Sequence, residues 1–221
     1  MNKMLNRETI YRDSKRYYID IGAKKGYSSS HILFCKQHAG KRVLDFGCAT
    51  GNCCLELKKL GFDCVGVDIN EEYVKITQER GIEAHVVKGV LPFAERSFDT
   101  VLMFELLEHL RDPDTALSQA KKVAKKNILL TVPNITEFDR LKRSNLTYEH
   151  MLELDHVNFF TKESLTLLLS KHFDKFYVRQ EKPIFVHKLL PWYIRKPLSL
   201  CYKLKIIKPA AYYSLYAECL V

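Results

Sequence analysis

Asp45, Gly47, Cys48 and Gly51 stand in one short run, Val43-Leu44-Asp45-Phe46-Gly47-Cys48-Ala49-Thr50-Gly51, and their order describes a binding loop. Val43, Leu44 and Phe46 read as a buried strand. Gly47 and Gly51 then allow a tight turn and the opening of a helix, where backbone N–H groups approach a ligand closely. The two glycines are four apart, which is not the G-x-G-x-x-G phosphate fingerprint, and no Gly-Lys-Ser/Thr follows. An acid just before the first glycine would repel a polyphosphate. It suits a ligand that carries a cationic amine. A second acid, Asp68, ends the apolar run Cys64-Val65-Gly66-Val67, 17 residues after Gly51. In a βαβ unit an acid there takes the two hydroxyls of a ribose.

The second group with chemical potential is Phe104-Glu105-Leu106-Leu107-Glu108-His109. Glu105, Glu108 and His109 are spaced i, i+3 and i+4, so on a helix they share one face. Two carboxylates and an imidazole at the end of a strand form a fair three-ligand set for a divalent metal such as Mg²⁺ or Mn²⁺. His156 offers a second imidazole further along. Without a metal, His109 or His156 serves as a general base, because neutral imidazole accepts a hydroxyl proton near neutral pH; Glu105 and Glu108 would orient it.

The elements that must position these groups alternate along the chain. Helices are expected over 28–39 (capped by one of Ser28–Ser30), over 51–60 stopped by Gly61, and from an Asn70 cap to Arg80, closed by Gly81. Further helices are expected from Asp112 or Pro113 to about Lys125, and over Lys162–His172 capped by Thr161. Between them lie strands at Ile82–Lys88, Phe98–Met103 and Asn127–Val132. Phe173–Arg179 and Leu215–Val221 read as the last two strands. This alternation implies an α/β fold with a mostly parallel sheet.

The loop with Asp45, Gly47, Gly51 and Asp68 resembles the class I S-adenosylmethionine-dependent methyltransferases, which implies a Rossmann-like, seven-stranded, mostly parallel sheet with helices on both faces and the last two strands an antiparallel pair. Leu91-Pro92-Phe93, Ser97-Phe98-Asp99 and Pro133-Asn134 extend the likeness. The resemblance implies that Asp45, Gly47, Cys48, Gly51, Asp68, Ile69, Val90 and Phe104 contact S-adenosylmethionine. Lys88-Gly89-Val90 replaces the acid that many relatives carry near the adenine, so backbone contact is expected there. Glu-x-x-Glu-His resembles two branches, the ubiquinone-pathway O-methyltransferases and the small-RNA 2′-O-methyltransferases. The latter use these residues and a later His to hold a metal. Carried over, Glu105, Glu108, His109 and His156 are the ligands. The expected reaction is methylation of a hydroxyl on a small molecule, a glycan or a lipid-linked intermediate. The alternatives are an RNA ribose 2′-oxygen, with Arg140, Lys142 and Arg143 as the basic cluster, or a non-catalytic partner subunit that only binds the donor.

Composition sets the outer limits. A chain of 221 residues with 47% hydrophobic residues fits one globular methyltransferase domain over 1–221. No apolar run approaches the ~18 residues of a membrane span. The N-terminal residues lack an apolar signal core, and the seven cysteines form no C-x-x-C pair. A cytoplasmic location, peripheral to a membrane at most, is therefore expected. Residues 1–27, with Tyr11, Tyr17 and Tyr18, are expected to cover the site or pack on a sheet edge.

The net charge of +9 is unevenly spread. Lys182–Lys208 carries seven Lys or Arg residues and no acid, within a 182–212 insertion between the last two strands. It reads as a helical cover whose apolar face lies over the substrate pocket, as a peripheral membrane contact, or as an RNA surface. Prolines 191, 197 and 209 are expected to cut it into short pieces.

Overall fold

The computed structural model describes residues 29–136, 155–184, 192–209 and 211–221. Its strands are β1 (Arg42–Phe46), β2 (Asp63–Asp68), β3 (Glu83–Val86), β4 (Phe98–Phe104), β5 (Ala124–Pro133), β6 (Phe176–Ile184) and β7 (Ala211–Leu220). They form a seven-stranded sheet in the order β3-β2-β1-β4-β5-β7-β6. β1 pairs in parallel with β2 and β4, β2 pairs in parallel with β3, and β7 runs antiparallel to both β5 and β6. The mostly parallel Rossmann-like sheet with a terminal antiparallel pair is the one expected from the sequence.

The chain groups into two compact units. The first ends at Leu102 and includes Val123–Lys125. It holds α1 (Ser29–His38), β1, α2 (Asn52–Lys59), β2, α3 (Glu71–Glu79), β3 and most of β4. Its core is built where strands are covered on both faces: Val43, Leu44, Val65, Val67 and Val101 are all buried. Each such aliphatic side chain contributes about 1.5–3 kcal/mol over an exposed one. The Asn70 side chain accepts the N–H groups of Glu72 and Tyr73 at 3.0 and 3.3 Å and so starts α3 directly after Asp68.

The second unit comprises Met103–Lys122 and Lys126–Val221. It holds the end of β4, a single 3₁₀ turn (Leu107–His109), most of α4 (Pro113–Val123) and β5, then α5 (Lys162–Ser170), β6, α6 (Trp192–Lys203) and β7. Asp112 caps α4 by accepting from the Thr115 N–H at 3.0 Å, and Thr161 caps α5 in a reciprocal capping box with Ser164.

Several boundaries differ from the sequence expectation. Helix α4 stops at Val123 and β5 begins at Ala124; near its start the Lys126 carbonyl accepts the Val221 N–H at 3.0 Å, which ties this end of β5 to β7. Phe173 lies in the turn that follows α5, where its N–H donates to the Leu169 carbonyl at 3.0 Å. β6 and β7 instead reach further toward the insertion, pairing as far as Ile184 with Ala211. Helix α6 runs straight through Pro197. That proline removes one backbone donor without ending the helix.

Candidate functional site

The first unit builds the loop from the backbone outward. Gly47 and Gly51 have φ of 86° and 75°, and Ala49 has φ 45°. The Gly47 and Cys48 N–H groups both donate to the Val67 carbonyl, at 2.8 and 3.0 Å, which ties the turn to β2. Asp68 holds it from the side: one oxygen accepts the Ala49 N–H and the other the Asn70 N–H, both at 2.9 Å. A carboxylate oxygen has a second lone pair, so Asp68 retains acceptor capacity for ribose hydroxyls.

Asp45 is buried beneath this turn, with the Cys54 thiol donating to it at 3.4 Å. Burial pushes its carboxyl up to about 7; the Cys54 hydrogen bond opposes the shift and the Asp68 charge adds to it. A buried acid with that pKa is poised to ionise against a cationic group.

Three residues that the sequence reading passed over shape the loop. A Cβ on Gly66 would lie 2.7 Å from the Cys48 Sγ, so glycine in β2 makes room for Cys48 to pack. The Thr77 hydroxyl donates to the Ala49 carbonyl at 3.1 Å. Arg80 clamps the start of α2 through the Thr50 carbonyl at 2.7 Å and the Asn52 side chain at 2.6 Å. The glycine in mid-strand was the one available signal; the Thr77 and Arg80 contacts depend on α3 packing over the loop. Of the other expected donor contacts, Cys48 and Phe104 are buried, whereas Ile69 and Val90 are exposed. Cys48 sits among apolar and acidic neighbours that hold its thiol protonated, which fits packing.

In the second unit the expected helical face at Glu105–His109 is not what forms. Glu105 adopts φ 50°, and only Leu107–His109 make a 3₁₀ turn. The cause lies in β5: Thr131 offers the Glu105 N–H both its carbonyl, at 2.9 Å, and its hydroxyl, at 3.2 Å, so the chain stays tied to the sheet for one residue longer. Glu105 is half-buried, and desolvation raises its carboxyl against the opposing charges of Lys182 and His156.

The turn is bound from outside by the segment at Asp155–Asn158. The Glu108 carbonyl accepts the Val157 and Asn158 N–H groups at 2.8 and 3.0 Å. The Asn158 side-chain amide donates to the Leu107 carbonyl at 3.0 Å and the Leu110 carbonyl at 2.5 Å. These bonds bring His156 against His109, edge to face.

Ligand atoms of Glu108, His109 and His156 all lie within 4.8 Å of one another. Glu108 is buried, and neither of its carboxylate oxygens has a hydrogen-bond partner among the described residues. Burial, then the Glu105 charge, raises its carboxyl well above the usual range. His109 is held below its ordinary value by burial, against the opposing pull of Asp155. A neutral imidazole is the form that ligates metal or accepts a proton. Three of the four ligands carried over by resemblance therefore come together, and Glu105 stands outside that group. Tyr11, Tyr17, Tyr18, Arg140, Lys142 and Arg143 lie outside the described residues.

Known proteins match both the loop and the fold. A family described as a methyltransferase domain matches residues 3–172. Ajmaline N-methyltransferase of Rauvolfia serpentina is 34% identical over 94 residues, covering 38% of this chain and 32% of that protein. Ubiquinone biosynthesis O-methyltransferase of Hahella chejuensis is 32% identical over 94 residues, covering 39% of this chain and 40% of the relative. The matched stretch thus spans less than half the length of these relatives. A solved SAM-dependent methyltransferase from Archaeoglobus fulgidus superposes with a TM-score of 0.66 at 18% identity, covering 93% of this chain and 99% of that one. A possible histamine N-methyltransferase from Thermotoga maritima gives 0.65 at 21% identity, with 96% of each chain covered. The family match takes in the Asp45 loop, Asp68, the Glu108–His109 turn and His156, and on that evidence the chain belongs to the methyltransferase domain family, within the class I S-adenosylmethionine-dependent superfamily.

Proposed function

We propose that this chain transfers the methyl group of S-adenosylmethionine to a hydroxyl on a small molecule, sugar or lipid-linked intermediate, with a divalent cation held by Glu108, His109 and His156. The observation that carries this reading is Glu108, a buried carboxylate with two oxygens that no described residue satisfies, set beside two imidazoles. An unsatisfied buried carboxylate costs several kcal/mol, so its retention calls for a ligand. Two imidazoles and one carboxylate suit Mn²⁺ better than Mg²⁺, which prefers oxygen.

The residues divide the work. Asp45, once ionised, pairs with the donor's amine. Asp68 takes the ribose hydroxyls, and the Gly47–Gly51 turn lets the donor approach the backbone. The donor supplies an already electrophilic methyl, so the protein need only align the acceptor and remove or polarise its proton. A cation bound at Glu108, His109 and His156 would supply Lewis-acid polarisation of the acceptor hydroxyl. Where no cation binds, His109 or His156 would take that proton, and burial favours the neutral form of His109.

Relatives named for oxygen acceptors and relatives named for nitrogen acceptors both match this chain over 94 residues. That likeness therefore does not discriminate, and the Glu108 cluster is what favours oxygen. The test is methyl transfer from radiolabelled donor into a cell extract separated into small-molecule, lipid and RNA fractions. The expected label is an O-methyl group in the first two. Label confined to RNA would make a ribose 2′-oxygen the acceptor. Bound donor with no label in any fraction would make the chain a binding subunit.

A further inference from the structure

Helix α6 and the turn after it present their apolar side chains outward. Tyr193, Leu200 and Leu204 are 61%, 56% and 61% exposed, and Ile206 reaches 70%. Positions 193, 197, 200 and 204 are spaced i, i+4, i+7 and i+11, so Tyr193, Pro197, Leu200 and Leu204 form one stripe along the helix. Lys196 and Lys203 border that stripe, and Lys205 and Lys208 follow in the exposed turn. The opposite side carries Leu198, Ser199, Cys201 and Tyr202, all half-buried. Apolar residues thus lie on both sides of the helix, and the Tyr193–Leu204 stripe is the side left to solvent.

We infer that the exposed face of α6 is a docking surface for an anionic lipid bilayer. Charge selects the partner: no Asp or Glu occurs between Lys182 and Ala217, while the same stretch holds seven Lys or Arg residues. A bilayer with anionic headgroups satisfies both properties of the face at once. Leucine and isoleucine side chains enter the acyl boundary, tyrosine sits at headgroup level, and the lysines reach lipid phosphates from their flexible stems. At 12 residues, α6 is too short to span a bilayer but long enough to lie in its interface. No described helix is long and apolar enough to cross a membrane. RNA would engage the lysines but leave the Leu200–Leu204 stripe in water, and a second copy would set two basic faces against each other.

The inference does not depend on methyl transfer, and its test needs neither donor nor acceptor. The full chain is co-sedimented with vesicles of phosphatidylcholine alone and of equimolar phosphatidylcholine and phosphatidylglycerol. Partition onto the anionic vesicles is expected to exceed that onto the neutral ones by at least about 10-fold, and to fall as salt rises. Leu200→Glu with Leu204→Glu, and separately Lys196→Glu with Lys203→Glu, are each expected to lower it about 10-fold or more. All four side chains are exposed, and unchanged far-UV circular dichroism and melting would show that the fold is intact. Equal binding to both vesicles, or anionic binding that survives both double variants, would overturn the inference. So would a dimer that both double variants dissociate, or RNA binding that the lysine variants abolish in a chain that ignores vesicles.

Discussion

His109 and His156 meet edge to face, with ring centroids 4.8 Å apart and ring planes at 73°. Asn158 sustains that meeting, since its amide bonds the carbonyls of Leu107 and Leu110 on either side of the Glu108–His109 pair. Asn158→Ala leaves those carbonyls without their donor and is expected to cost about 1–3 kcal/mol. Methyl transfer should fall at least ~10-fold, as losses behind a metal shell generally do, while donor affinity stays unchanged. Asn158→Asp should be no better, because a carboxylate cannot donate to either carbonyl. Full activity in the alanine variant, read by labelled transfer, would deny Asn158 this positioning role.

The donor loop makes a steric demand at Gly51. Its φ is +75°, and a Cβ there would lie 2.6 Å from Thr77 Cγ2. Gly51→Ala should lower donor affinity by ~10-fold or more and reduce the melting temperature, since strain at such a φ costs of order 1–3 kcal/mol. Adding Thr77→Ser removes the clashing methyl but leaves the backbone strain and the hydroxyl, 2.9 Å from the added Cβ. The double variant should therefore recover part of the affinity, measured by calorimetric titration with the donor. Wild-type affinity in Gly51→Ala would show that the donor does not use this turn.

Asp45 couples donor binding to pH. Its folded-state carboxyl is pushed up to about 7, from 3.8 in the unfolded chain. The native protein therefore keeps a proton that the unfolded chain releases. The associated stability is full below pH 3.8, is lost as pH rises to about 7, and amounts to an order of 4 kcal/mol over that window. Donor affinity has the opposite slope, because the cationic amine needs the ionised form: it should rise as pH passes through about 7. Asp45→Asn should bind donor weakly at every pH and melt above the wild type at pH near ~8. An affinity that does not change across neutrality in the wild type would remove Asp45 from the amine site.

The parts of the site that were legible in the sequence are those whose chemistry is local. Asp45, Gly47 and Gly51 announce a strand, turn and helix within nine positions, and Asn70 announces the cap that follows Asp68. The parts that were not legible depend on partners distant in sequence. Glu105 reads as the start of a helical face, but Thr131 on β5 holds its N–H and displaces it from Glu108 and His109. Asn158 carries no motif, and its role exists only once the Leu107–His109 turn lies beside it. The basic stretch after Lys182 left three readings open for the same reason: spacing places Tyr193, Leu200 and Leu204 on one face, while only packing shows which way that face looks.

The proposed cation site is tested most directly by titrating Mn²⁺ into the chain and following the loss of the free-ion paramagnetic resonance signal, for wild type and for Glu108→Gln. Glutamine keeps the volume of Glu108 and removes its charge, and it spares the fold an unsatisfied buried carboxylate. One equivalent of Mn²⁺ should bind the wild type. The glutamine variant should lose more than the roughly 10–100-fold in affinity that outer-shell changes cause, while it binds donor as the wild type does and melts no lower. Failure of the wild type to bind Mn²⁺ with donor present, or equal Mn²⁺ binding by the glutamine variant, would contradict a cation held by Glu108, His109 and His156.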